Sequence, residues 1–384
     1  MNATLCVIST VHRPDDVRIY YKEILSLANA GYKIVFIVQE LPGAKVHRNV
    51  QMHFLPPGSG LKHRVKNLLR AFRSAKNIDC KVLHIHDPEL ILIAFPLKLL
   101  YRKKIIYDLH EIHSNEIKYK PYLPKVVSYP LSFLFWLFEK IAIHSFDKII
   151  LAEAGYAAYF PLKNSVIIQN FIPSEYVLPK PVKYFEAGQA IKLVYLGTIT
   201  KIRGIFEILE LTMLLKNEGV KIELQIIGPF YPKSLRREVE RYIEKNHLQD
   251  SVRIRGVLTF PEAQQIIKQC DIGLIFLHPI LNNLTILPVK LFEYMANGLV
   301  VLMTKFPLWE EFNQKYQCGM TLDIFNLNSE IKRVISFFDD INLLNLMRKT
   351  NIETVRQNFV WEIEEKKLLT LYAELFGKPG ENNE

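Results

Sequence analysis

Asn283-Leu-Thr-Ile-Leu-Pro-Val-Lys-Leu-Phe-Glu-Tyr-Met-Ala-Asn-Gly298 is the stretch from which the architecture follows. Pro288 suits a first helical turn, Leu291, Phe292 and Met295 form an apolar stripe, and Asn297-Gly298 makes a left-handed stop. A short helix carrying Lys290 and Glu293 is therefore predicted. The apolar runs on either side, Ile272 to Leu277 and Leu299 to Met303, read as buried strands, and strand, helix, strand is a βαβ unit. Ligands in such folds sit beyond the carboxyl ends of the strands, so the helix start faces a crevice. Its free N–H groups suit a phosphate, Lys290 adds a full charge, and Glu293 can accept two hydrogen bonds from a vicinal diol such as a ribose. Those are the parts of a nucleotide site. A surface helix with a Lys and a Glu three apart presents the same pattern.

The same rhythm runs outward in both directions. Apolar segments at Thr4–Ser9, Lys33–Val38, Val50–Leu55, Lys81–His86, Lys104–Leu109, Lys148–Ala152 and Ser165–Ile168 are mostly separated by helical patterns. After a proline-rich stretch at 173–182 without periodicity, the pattern restarts at Ile191–Leu196, Lys221–Ile227, Ser251–Arg255, Asp271–Leu277 and Leu299–Met303. Strands alternating with helices imply parallel sheets with covered faces. The expected fold is α/β, with two Rossmann-like parallel-sheet domains facing a cleft: an acceptor-side domain at 1–172, a linker at 173–190, and a nucleotide-binding domain at 191–360. Residues 361–384 are expected as a helix packing back on the first domain, then a polar tail.

A chain of 384 residues can bury two cores, and an apolar content of 49% excludes disorder. Thr4–Thr10 has no basic flank and reads as a first strand rather than a signal peptide. The apolar run Leu131–Phe138, with Ser132 allowed, falls short of the ~20 residues that span a bilayer. A cytoplasmic protein, soluble or peripheral on the inner face of the cell membrane, is expected. Cys6, Cys80, Cys270 and Cys318 are far apart and read as reduced thiols. His84 and His86 face one side of a strand, and two imidazoles without a third ligand indicate hydrogen bonding sooner than zinc.

Charge is unevenly spread. Residues 1–180 hold 24 Lys/Arg against 14 Asp/Glu, and residues 181–384 hold 25 against 25, so the whole net charge of +10 lies in the first half. Leu61 to Lys76 concentrates six Lys/Arg and no acidic residue behind Leu61, Val65, Leu68, Leu69 and Phe72 on one helical face. Near an anionic leaflet each basic residue contributes ~1 kcal/mol, so this helix is a candidate membrane contact. A core-facing helix with a basic outer face gives the same sequence. Tyr119 to His144, with its apolar run around Trp136, is a second candidate.

After the first strand comes Val11-His-Arg-Pro-Asp-Asp-Val-Arg-Ile-Tyr-Tyr-Lys22, a loop without the G-x-G-x-x-G of a dinucleotide site. His12, Asp15, Asp16 and Arg18 are placed at that strand's carboxyl end. The strand Lys81–His86 ends in Asp87-Pro-Glu, and Lys104–Leu109 ends in His110-Glu111, all aimed at one crevice. In the second half, Leu196-Gly-Thr-Ile-Thr-Lys-Ile-Arg-Gly204 is a strand, a loop and a helix start. Gly197 permits close approach, Thr198 offers a hydroxyl, and Arg203 a forked cation.

The order Tyr195-Leu-Gly-x5-Arg-Gly204, Ile226-Ile-Gly-Pro229, Val252-Arg-Ile-Arg-Gly-Val257 and Pro288-x-Lys-Leu-Phe-Glu-Tyr-Met-Ala-x-Gly298 resembles the GT-B retaining glycosyltransferases of glycosyltransferase family 4. Val11-His-x-Pro-x-Asp-x-Arg-Ile19, His84-x-His-Asp-Pro-Glu89 and Tyr107-Asp-Leu-His-Glu111 resemble bacterial members, so the likeness covers roughly residues 3 to 370. The resemblance implies a metal-independent hexosyltransferase of bacterial surface-polysaccharide synthesis. It needs no cofactor and takes a UDP- or GDP-linked sugar as donor and a glycan or lipid-linked glycan as acceptor. By position it puts Arg203 on the donor pyrophosphate and Glu293 on the ribose. Gly197, Thr198, Gly256, Val257 and Thr285 join the donor site, with Thr285 standing where the family pattern has a Glu. Arg203, Lys290 and His110 are the implied catalytic groups, and His12, Asp16, Arg18 and Glu111 the acceptor-side candidates. No metal site and no nucleic acid are expected. A GT-B nucleotide-sugar epimerase and a basic nucleic-acid-binding protein are the alternatives, the latter resting on pI ≈ 9.2 without any recognised motif.

Overall fold

Seven parallel strands form the first sheet: β1 (Thr4–Ile8), β2 (Lys33–Gln39), β3 (Val50–Leu55), β4 (Val82–Ile85), β5 (Lys104–Leu109), β6 (Lys148–Leu151) and β7 (Ser165–Ile167), in the order β3-β2-β1-β4-β5-β6-β7. They are near-continuous apolar runs because helices cover both faces of a parallel sheet. This computed structural model describes residues 4–41, 47–112, 117, 124–160 and 163–376, and it divides into two compact units, Met1–Asn170 with Trp361–Glu384 and Phe171–Val360. The strand order reverses between β1 and β4. That switch point brings Ser9 and Thr10, just past β1, beside His86 and Asp87, just past β4.

The helices of the first unit are α1 (Leu25–Asn29), α2 (Leu61–Asn77), α3 (Ile91–Tyr101) and α4 (Lys125–Ser145), and α13 (Trp361–Phe376) comes from the far end of the chain. The stretch from Val11 to Lys22 is helical in its second half. Asp16 is extended and accepts from the Arg18 and Ile19 amides, and a π-helical segment, Val17–Ile24, runs from there into α1. Ile19, Tyr20 and Ile24 pack inward from it. The helix α13 buries Trp361, Leu368, Leu371 and Tyr372 in the same core, with Trp361 Nε1 donating to Ser26 Oγ at 3.0 Å.

The core-facing alternative for α2 is not what the structure shows. Asn67, Ala71 and Ala75 face inward, because two alanines let the helix approach closely and the Asn67 amide finds Pro56 O at 3.0 Å. Leu61, Val65 and Leu69 are left 80, 50 and 53% exposed. The next helix but one, α4, also leaves Val126, Phe133, Leu134 and Ile141 outside. Among the described residues it is the one helix long and apolar enough to cross a membrane by length and composition. Tyr119 and Tyr122, counted with it in sequence, lie outside the described residues.

The second sheet has six parallel strands: β8 (Ile191–Leu196), β9 (Ile222–Ile227), β10 (Val252–Gly256), β11 (Ile272–Ile275), β12 (Val300–Thr304) and β13 (Gly319–Leu322), ordered β10-β9-β8-β11-β12-β13. Its switch point lies between β8 and β11. The helices are α5 (Ile205–Asn217), α6 (Leu235–Lys245), α7 (Phe260–Ile267), α8 (Leu281–Leu284), α9 (Val289–Ala296), α10 (Pro307–Tyr316), α11 (Leu327–Asp339) and α12 (Ile341–Asn358). The strand β13 went unread in the sequence: it is four residues at a sheet edge and opens on Gly319, where a Cβ would meet Val301 O at 1.8 Å. The stretch 173–190 has no strand, yet it is not a loose linker. Phe185 lies in the second core, and its amide donates to Asn345 Oδ1 at 2.8 Å.

Candidate active site

Two cations converge at the switch point of the second sheet. Gly197 ends β8 at φ +127°, and a Cβ there would come within 3.6 Å of Lys290 Nζ and 3.8 Å of Arg203 Nη1. The bare backbone thus opens a space that both charges face. Arg203 reaches it from a turn, Lys201–Arg203, capped by Thr200, whose Oγ1 accepts from the Arg203 amide at 3.2 Å. Gly204 follows in the left-handed region, and any side chain there would strike Phe276 O at 1.9 Å, so α5 can start hard against the end of β11 only with glycine. Arg203 Nη1 also donates to Thr198 O at 3.4 Å, beside the Tyr195 hydroxyl, which donates to the same oxygen at 2.7 Å.

Lys290 enters from the first turn of α9, whose N-cap is Pro288. Its stem is half-buried, but its Nζ is fully buried and makes no hydrogen bond among the described residues. It stands 4.6 Å from the centre of the Tyr195 ring. Burial, then repulsion from Arg203, push its pKa down to about 7 against the pull of Glu293. Two like charges over one space are costly, and an anion there would relieve both. Glu293 lies one turn further along α9, half-buried. Tyr294 locks the helix to the sheet by accepting the Leu196 amide at 2.8 Å.

The other donor candidates are less convergent. Thr285 spends its hydroxyl on Leu281 O at 3.0 Å, closing α8. Gly256 and Val257 sit at the end of β10, two strands from Gly197, and Val257 is exposed. Tyr195 was not singled out in sequence, because an apolar strand residue ending a buried run carries no signal that its ring lies beneath a lysine.

In the first unit the switch point gathers a charged network. Asp87 Oδ2 accepts from Ser9 Oγ at 3.0 Å and from the Val11 amide at 3.2 Å, and His12 Nε2 stands 3.4 Å from Asp87 Oδ1. His12 Nδ1 meets Asp16 at 3.4 Å. Burial opposes the charge on both, but their hydrogen bond raises His12 and holds Asp16 well below the usual carboxylate range. His110 Nε2 lies 3.1 Å from Asp108 Oδ2 and 3.1 Å from His86 Nδ1, its ring 5.4 Å from that of His12. Burial takes His110 down to about 4. It is neutral at physiological pH.

Arg18, expected on the acceptor side, is turned inward. It is 3% exposed and forms a two-pronged bond to Asp108 at 2.9 and 3.0 Å. Its place is that of a positioning residue. Glu111 is exposed at the end of β5, next to buried Ile112. Arg64, one of the six basic residues of Leu61 to Lys76, is bidentate to Glu89 at 2.9 Å on both prongs. Glu23 was missed entirely, and it lies fully buried among His84, His86 and Asp108. A Glu on an apparently solvated loop gives no sign of burial.

Two separate parallel sheets, each with polar groups collected at its switch point and one with paired cations, define the class of two-domain Rossmann-like proteins with a site suited to an anionic ligand. The comparisons agree. Residues 180–354 match the family model described as Glycosyl transferases group 1, and residues 17–159 match Glycosyltransferase Family 4. The chain is a glycosyltransferase of the GT-B fold that resembles family 4. Sucrose-phosphate synthase from Thermosynechococcus elongatus superposes with a TM-score of 0.78 at 16% identity, covering 97% of this chain and 99% of that one. Anabaena HepE in complex with UDP-glucose gives 0.72 at 10% identity, covering 97% and 99%. The lipopolysaccharide-biosynthesis glycosyltransferase WaaG gives 0.68 at 12% identity, covering 96% and 99%. No curated protein matches the sequence.

Proposed function

We propose that the protein is a retaining, metal-independent hexosyltransferase that moves a sugar from a UDP- or GDP-linked donor to a glycan or lipid-linked glycan acceptor in bacterial surface-polysaccharide synthesis. The observation that carries the reading is the buried Lys290 Nζ, without a hydrogen bond among the described residues, facing the space above Gly197 with Arg203. Breaking the bond from the sugar C1 to the diphosphate builds negative charge on the departing oxygens. Fixed cations aimed at that position stabilise the transition state more than the ground state. Arg203 and Lys290 supply them, and Glu293, one turn along α9, holds the ribose. The acceptor hydroxyl attacks C1 from the departing face, the new C–O bond forms as the old one breaks, and its proton passes to a diphosphate oxygen. His110 and His12 line the acceptor side in the first unit. HepE's UDP-glucose complex supports a UDP-sugar donor.

The acceptor is proposed to be lipid-linked, at the inner face of the cell membrane. Support comes from α2, which presents exposed Leu61, Val65 and Leu69 together with Lys62, Lys66, Arg70 and Arg73, and has no acidic residue. Apolar side chains flanked by cations match an anionic leaflet. WaaG's part in lipopolysaccharide synthesis agrees with such an acceptor. Incubation with a panel of nucleotide sugars, with free UDP and GDP measured, tests the enzymatic reading. Release from at least one donor, lost in Arg203→Ala, is expected. An isomerised nucleotide sugar without release of nucleotide would establish an epimerase instead.

A further inference from the structure

The first unit encloses a second constellation that sugar transfer does not use. Glu23 from the π-helical segment, His84 and His86 from β4, and Asp108 from β5 each offer one ligand atom, all within 4.8 Å of one another. All four are buried to within 1% of full enclosure. Glu23 Oε2 lies 3.9 Å from His84 Nε2 and 3.7 Å from His86 Nε2. Neither imidazole nitrogen, nor that oxygen, has a hydrogen-bond partner among the described residues. Three buried, unsatisfied polar atoms facing one point are costly unless something occupies the point.

We propose that Glu23, His84, His86 and Asp108 hold a structural divalent transition-metal ion, zinc by their chemistry. Two imidazoles and two carboxylates form the donor set of a closed, four-coordinate site; donors ~2.0–2.1 Å from a tetrahedral ion lie about 3.3–3.4 Å apart, so the 3.9 and 3.7 Å separations close by about half an ångström or less when the ion is bound. The outer contacts fit as well. A metal-bound imidazole directs its other nitrogen to a fixed partner, and here His84 Nδ1 meets Tyr372 OH at 2.8 Å while His86 Nδ1 meets His110 Nε2 at 3.1 Å. Arg18 Nε stands 3.0 Å from Glu23 Oε1 but donates to Asp108 Oδ2 at 2.9 Å, so both Glu23 oxygens lack a hydrogen-bond partner among the described residues. The ion joins the π-helical segment, β4 and β5, and through Tyr372 it braces α13 against the sheet. It is chemically separate from the donor phosphates, so this inference and the sugar-transfer reading fail independently.

The test is elemental analysis of the full chain, expressed with zinc in the medium and passed through a chelating resin. About one equivalent of bound metal is expected. Less than about a tenth of an equivalent overturns the proposal, and so does metal that the resin strips within minutes from the folded protein, because a closed site exchanges slowly. Glu23→Gln keeps the volume and removes the anionic ligand. It should fall to less than about a tenth of an equivalent while retaining wild-type far-ultraviolet circular dichroism. Should that variant not fold, unfolding wild-type protein and refolding it with cobalt(II) chloride decides. Visible absorption of the intense four-coordinate type supports the site, and a spectrum of free hexaaqua cobalt refutes it.

Discussion

Replacing Lys290 with methionine should stabilise the ligand-free protein while disabling it. The ammonium is held at a pKa of about 7, down from 10.5, by burial and by Arg203. At ~1.4 kcal/mol per pH unit this corresponds to an upper bound of about 5 kcal/mol. Water reaching the half-buried stem reduces it, and the lost contact with the Tyr195 ring removes a little more, leaving about 2–4 kcal/mol. The folded-state value lies below the unfolded one, so between pH 7 and 10.5 the unfolded chain binds more protons, and stability rises with pH across that window. The penalty is complete below about pH 7 and vanishes near 10.5. The gain from Lys290→Met should therefore be largest at pH 6.5 and mostly gone by pH 9.5. Urea unfolding of both proteins at the two pH values, following the transition that Trp309 reports in the second unit, measures it. With UDP at ~100 times its Kd, wild type should gain ~2.7 kcal/mol and the variant almost nothing. A variant less stable than wild type at pH 6.5, or a gain that does not shrink with pH, would refute the claim that an uncompensated cation is held there for an anion.

Other variants probe the same site and its surroundings. Arg203→Ala should lower kcat about 10²-fold or more with a smaller rise in KM, since charge grows on the leaving diphosphate, and a pure KM effect would make Arg203 a ground-state anchor only. Glu293→Ala should weaken donor binding by about 1.5–3 kcal/mol in calorimetric titration, and unchanged affinity would remove the ribose role. Sugar transfer should continue through minutes of EDTA and gain nothing from added Mg²⁺ or Mn²⁺, which tests for an oxygen-bound ion at the diphosphate and does not reach a nitrogen-ligated one closed in the core. Reversing Lys62, Lys66, Arg70 and Arg73 to Glu should abolish co-sedimentation with anionic vesicles at ~0.1 M salt while UDP release persists, and wild type that ignores such vesicles would leave α2 a solvated face.

What sequence could carry depended on the range of the interaction. Strand and helix positions were legible because burial in a parallel sheet demands unbroken apolar runs, and Lys290 and Glu293 because a helix fixes the spacing of neighbours. Pairing between distant segments has no local signature. Arg18 reads as one more polar residue in a strand-end motif, and nothing in Asp16-Val-Arg18 says that its guanidinium crosses to Asp108, ninety positions away. The stripe on α2 left two readings open for a related reason: amphipathic spacing reports that one face differs from another, not which face meets the protein, and it is Asn67, Ala71 and Ala75 that turn inward. His84 and His86 show the limit most sharply. Their alternation put both imidazoles on one side of β4, but the choice between hydrogen bonding and metal binding turned on a third ligand, and Glu23 comes from an element whose helical form depends on the Asp16 cap. The carboxylate that the proposed ion requires could not be assigned until the backbone that carries it was known.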